Sequence, residues 1–157
     1  MIAAQPHLPV YLSVDKEHRD YPHLLHACDS NEELELAACA DRATAYKLAE
    51  EHKWPIVAHS WHAAARRAMY LVELLLKHAT GVVWCTPRHI GGRSGSPHAR
   101  ELQSLCRIGL VRRQRRYCDI AKDGSWKYAL TPAGDAAARV LLERACKLKD
   151  SAVNCSL

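Results

Sequence analysis

The chain has 157 residues, 48% apolar and 25% charged, which suits one globular domain with a real core, or one domain carrying a small appendage. Its most apolar run, Ala68 to Leu76, is broken by Glu73 and is far too short to span a bilayer. The first residues lack a basic segment followed by an apolar one, so a cytoplasmic protein without membrane contact is expected.

The net charge of +5 conceals an asymmetry. Residues 1–60 carry 5 Lys/Arg against 10 Asp/Glu, and residues 61–157 carry 17 against 7. Such a split suggests two functional regions, the basic one facing a polyanion, although a merely solubilising surface has the same composition. The seven cysteines contain no C-x-x-C pair, and zinc sites take ligands in such close pairs. Cys39, Cys106 and Cys146 fall in segments with helical apolar patterns, where a reduced thiol behaves as a small hydrophobe. No metal and no cofactor is expected, and the odd count fits a reducing compartment.

In chain order, Val10 to Val14 and His23 to Ala27 read as two short strands joined by a polar loop. Ser30 with Glu33 makes a capping box for a helix running to about His52, with Leu34, Ala37, Ala38, Ala45, Leu48 and Ala49 on its apolar face. Trp54-Pro55 stops it, and Pro55 to His59 is extended. This acidic β-β-α unit, residues 1–59, carries no chemical motif. Ser60 then caps a helix over 61–78, with Ala64, Ala68, Leu71, Val72, Leu75 and Leu76 facing a core.

Val82 to Trp84 is short and β-prone. Thr86-Pro87 starts a short helix that ends at the Gly91–Gly95 turn, and Ser96-Pro97 starts another that ends before Gly109. Extended segments Leu110 to Asp119 and Trp126 to Leu130 flank an Asp-Gly turn. Thr131-Pro132 caps a last helix through about residue 149, and residues 150–157 read as a frayed tail.

That order of elements, with TPRHI at 86–90, SPHARELQSLCRIGLV at 96–111 and WKYALTPAG at 126–134, resembles the winged helix-turn-helix regulators of MarR and PadR type. The resemblance covers about residues 60–149. It implies an α+β, mainly α fold in which helix 96–108 enters the major groove and a wing over 110–130 lies along the backbone or in the minor groove. It also implies a transcription regulator, and most relatives are dimers.

The residues themselves support duplex DNA binding. With Ala99, Leu102, Leu105 and Cys106 facing inward, His98, Arg100, Glu101, Gln103, Ser104 and Arg107 share the outer surface of the helix. Arg100 suits guanine, Gln103 suits adenine, and Ser96 or the helix N-terminus suits phosphate. Glu101 would repel a phosphate unless it reads cytosine or pairs with a neighbouring arginine. The wing adds Arg112, Arg113, Arg115, Arg116, Lys122 and Lys127, with Arg113 and Arg115 on one face and Arg112 and Arg116 on the other.

An edge strand guarded by arginine against aggregation would look similar. Trp61, Trp84 and Trp126 read as core or interface residues. Cys85 with His89 lacks the orienting group and oxyanion site that nucleophilic catalysis needs, so no enzyme is expected. The competing reading is a winged-helix interaction module, or a phage-type inhibitor docking on an acidic or nucleic-acid-binding surface. In the DNA-binding reading the N-terminal acidic unit would serve a homodimer, hold a protein partner, or cover the basic face until displaced.

Overall fold

Val10 and Leu12 alternate with Tyr11 and Ser13, and this period of two gives the first strand two different faces. The computed structural model describes residues 5–28, 34–90, 97–115 and 126–154. Strand β1 (Val10–Val14) pairs antiparallel with β2 (His23–Ala27), setting Val10 opposite Ala27 and Leu12 opposite Leu25. Strand β3 (Glu35–Cys39) continues the meander on β2. Helix α1 (Arg42–Glu51) then carries the chain across to β4 (Ile56–Ala58), which runs parallel to β1. The mixed sheet has the order β3-β2-β1-β4.

One face of the sheet, with Val10, Leu12, Leu25, Ala27 and Cys39, makes a small core with Ala45 and Ala49 of α1 and with Leu8 and Trp54. Tyr11 on the other face, together with Val57 and Ala58, joins a larger core. A one-residue slip of β1 would exchange these two sets, so burial on both sides fixes its register.

The sequence expectation of a helix from about 31 to 52 is corrected here. Residues 35–39 are strand, and the helix starts at Arg42. Leu, Ala and Glu in this stretch favour helix, but ladder bonds to β2 and the burial of Cys39 outweigh that weak preference. The effective cap is Asp41. Its carboxylate accepts from the Thr44 N–H at 2.8 Å and from the Thr44 hydroxyl at 2.9 Å. Those bonds to the ionised form hold the Asp41 carboxyl below its ordinary range. The proposed cap at Ser30 and Glu33 lies outside the described residues.

Helix α2 (Trp61–Ala79) is the axis of the larger core. Ser60 caps it, accepting from the Ala63 N–H at 3.4 Å. Ala64, Ala68, Tyr70, Leu71, Leu74 and Leu75 are buried along it. They face Tyr11 and Val57 of the sheet unit, Leu102 and Leu105 of α3 (Pro97–Arg107), and Ala137, Ala138 and Leu141 of α4 (Pro132–Asn154). The core therefore runs without interruption across residues 59 and 60. Among the described residues, no helix is long and apolar enough to cross a membrane.

Strands β5 (Val111–Arg115) and β6 (Trp126–Leu130) form a separate antiparallel ribbon. Val82–Trp84, expected to be β-prone, is not a strand. The pairing occurs one residue later, where Cys85 and Tyr128 exchange backbone hydrogen bonds of 2.8 Å in both directions. Pro87–Ile90 is a single 3-10 turn rather than an α-helix, closed by the His89 N–H on the Thr86 carbonyl. Four residues beginning with proline are too few for an α-helical ladder. At the other end α4 continues to Asn154, beyond the expected stop near 149.

The ribbon is tied to the helices at one knot. Gly109, at φ +79°, ends α3, with the Leu110 N–H bonded to the Leu105 carbonyl. The Thr131 hydroxyl donates to the Gly109 carbonyl at 2.6 Å and accepts from the Gly134 N–H at 3.1 Å, capping α4. Gly134 thereby sits on the Leu110 carbonyl, and a Cβ there would lie 1.8 Å from that oxygen. Gly134→Ala must push α4 off the ribbon, an overpacking cost of about 1–3 kcal/mol. A thermal melt should show the midpoint lowered by roughly 3–10 °C, whereas an unchanged midpoint would mean that the knot gives way freely.

Candidate nucleic-acid interface

Leu102 and Leu105 are fully buried against α2, so the helical period of α3 settles which side chains face outward. Arg100, Gln103, Ser104 and Arg107 fall within an arc of about 100° opposite those leucines. Arg100 and Arg107 are exposed, and Gln103 and Ser104 are half-buried. The Ser104 hydroxyl bonds back to the Arg100 carbonyl at 3.1 Å, as serine does inside helices.

His98 does not belong to this stripe. Its ring lies 5.2 Å from that of Tyr70, and its Nδ1 is buried without a hydrogen-bond partner. It packs inward on α2, because it sits roughly 160° around the helix from Arg100. Glu101 is also turned inward. Its carboxylate takes Arg67 Nε at 2.6 Å and Arg66 Nη2 at 3.5 Å, and the side chain is 13% exposed. Arg67 in turn donates from Nη1 to the Val57 carbonyl at the end of the sheet. The one acidic residue of α3 is thus neutralised on the side away from the stripe.

Strand pairing sorts the ribbon. Val111, Arg113 and Arg115 share a face with Leu130, Tyr128 and Trp126 opposite them, while Arg112 and Gln114 share the other with Ala129 and Lys127. Arg113 lies beside Cys106 and Tyr128, where its positive charge opposes the upward push that burial gives both groups. The Arg113 face therefore adjoins α3. Arg112 looks the other way, its guanidinium 5.0 Å over the Trp84 ring, beside a groove of about 420 Å³ lined by His78, Val83 and Asp135.

On the α3 side, Arg113 sits 4.3 Å from the Trp126 ring centroid and Arg115 sits 6.0 Å from it. No carboxylate of the described residues pairs with Arg100, Arg107, Arg113 or Arg115. The positions expected at Ser96, Arg116 and Lys122 lie outside the described residues.

Cys28, Cys39 and Cys85 are buried, Cys106 is half-buried, and Cys146 is exposed on α4. The expectation that Cys39 lies in a helical segment is therefore corrected. Burial pushes the Cys85 and Cys106 thiols above their ordinary value, so both remain protonated and weakly nucleophilic at neutral pH. His89 turns its Nδ1 onto the Thr86 N–H at 3.0 Å. Among the described residues, no group of three His, Cys, Asp or Glu side chains is placed to hold a metal ion.

No family model, curated protein or solved structure matches the chain.

Sequence reasoning missed the inward placement of His98 and Glu101, and with it their partners. Arg66 and Arg67 meet Glu101 across 35 and 34 residues of sequence, a contact that helical periodicity does not reveal. Trp84 and Trp126, expected as core or interface residues, each carry an arginine over the ring.

Arg67→Met should lower stability by about 1–3 kcal/mol, since Glu101 keeps Arg66 alone and the Val57 carbonyl loses its donor. In urea unfolding, Glu101→Gln made in the Arg67→Met background should cost much less than Glu101→Gln alone. Strict additivity would mean that the two groups do not depend on each other.

Proposed function

We propose that the protein binds duplex DNA as a winged helix-turn-helix regulator. In this reading α3 enters the major groove and the β5–β6 ribbon serves as the wing. The observation that carries it is the shared surface of α3 and one ribbon face. Arg100, Gln103 and Arg107 lie on the outer arc of α3, Arg113 and Arg115 stand on the adjoining ribbon, and Glu101 is folded away onto Arg66 and Arg67.

The chemistry follows from the groups available. Arg100 can donate a bidentate pair to guanine O6 and N7, and Gln103 can pair with adenine N6 and N7. Arg107, Arg113 and Arg115 supply positive charge along the backbone, where sequence-independent affinity arises by counterion release. Ser104, already bonded to its own helix, contributes little to base reading. His98 supports the angle of α3 through Tyr70. Arg112 and Lys127, on the far ribbon face, are secondary contacts at most.

The regulatory role rests on the motif order 86–90, 96–111 and 126–134 together with this surface. The acidic sheet unit shares the core of α2, so it is held beside the DNA-binding part and is suited to a homodimer or protein partner.

Fluorescence anisotropy of a labelled random-sequence duplex, titrated over a salt series, tests the proposal. Binding should weaken steeply with salt, and Arg113→Glu/Arg115→Glu should abolish it at moderate salt or make the log–log slope shallower by about 2. Negligible binding of the wild-type chain at low salt would overturn the DNA reading in favour of an interaction module.

A further inference from the structure

Trp126 starts β6 directly opposite Arg115 and two positions along the same face from Tyr128, which is itself opposite Arg113. Tyr128 is 1% exposed and anchored in the main core, whereas Trp126 is 36% exposed. The indole therefore stands at the point where the ribbon face leaves the core, with one arginine over its ring at 4.3 Å and a second at 6.0 Å. A guanidinium over an indole is attracted by the ring's electron-rich face. The stacked cation keeps its N–H groups in its own plane, available for outside acceptors.

We infer that Trp126 is a positioning residue for DNA binding, holding Arg113 and Arg115 in place before they meet adjacent backbone phosphates. The inference rests on the DNA-binding reading and adds a role for a side chain that itself needs no nucleotide contact. A free arginine has several soft torsions, and each that must be frozen on binding weakens the complex. Two arginines leaning on one ring have lost part of that freedom already.

The molecule supplies its own contrast. Trp84 also carries an arginine, Arg112, at 5.0 Å, but on the ribbon face turned from α3 toward the groove beside His78 and Asp135. Both tryptophans make the same kind of contact, and the inference assigns a binding role to the one beside α3.

The test uses the full chain and the same labelled duplex, comparing Trp126→Leu, Trp126→Phe and Trp84→Leu. Trp126→Leu should weaken binding about tenfold at fixed salt while keeping the wild-type salt slope, since both arginines still reach phosphate. Trp126→Phe, which retains an aromatic face, should recover most of the loss, and Trp84→Leu should stay within about twofold. Circular dichroism melts verify that each variant folds, with Trp126→Phe available should the leucine variant fail. Wild-type affinity in Trp126→Leu, or an equal loss in Trp84→Leu, would overturn the inference while leaving a salt-dependent wild-type complex intact. A wild-type chain that does not bind the duplex would remove the DNA reading itself, and this inference with it.

Discussion

Arg67, in the second turn of α2, reaches in two directions, to the Glu101 carboxylate at 2.6 Å and to the Val57 carbonyl. Its guanidinium has a planar fork of donors, which suits a carboxylate on one side and a carbonyl on the other better than an ammonium would. Through it the sheet unit, the central helix and α3 are joined at a polar point inside a mainly apolar contact. The Glu101 side chain is 13% exposed, so its charge would be costly without these partners. Two consequences follow for α3. The rotation of the helix is fixed by a directional contact as well as by Leu102 and Leu105, and its outward arc is left without a negative charge.

That rotation organises the rest of the surface. The Gly109–Thr131–Gly134 knot fixes where the ribbon leaves α3, and strand pairing then decides which arginines look toward α3 and which away. Arg113 and Arg115 become neighbours of the α3 stripe, while Arg112 is sent to the opposite side. Arg100, Arg107, Arg113 and Arg115 thus come together on one side of α3 and the ribbon, while the acidic N-terminal sheet unit shares the core of α2. In the proposed DNA-binding reading a polyanion is drawn to that arginine face, and Arg100 and Gln103 lie within the same footprint.

Much of this was legible in the residue order. Ser60 and Thr131 are caps in the structure as in the sequence, Gly109 ends α3, and the short apolar segments Val10–Val14 and His23–Ala27 on either side of a polar loop are two strands. The stretch from Leu34 to Cys39 misled because its alanines and leucines satisfy a helical period equally well. Sheet partners far away in sequence made the decision, and Asp41 rather than Ser30 or Glu33 caps the described helix. His98 was misplaced although the helical period itself sets it between Leu102 and Leu105, on the side that meets Tyr70. The stacking of Arg113 and Arg115 on Trp126 needs the pairing register, which the intervening turn sequence suggests but does not specify.

The most direct measurement is a titration of the 15N-labelled chain with unlabelled duplex, following the backbone amide resonances. The account predicts that the largest shifts fall on residues 100–107 and 113–115, with β1, β2, β3 and α1 scarcely affected. Shifts concentrated on the sheet strands, or on the Arg112 and His78 side of the ribbon, would contradict it.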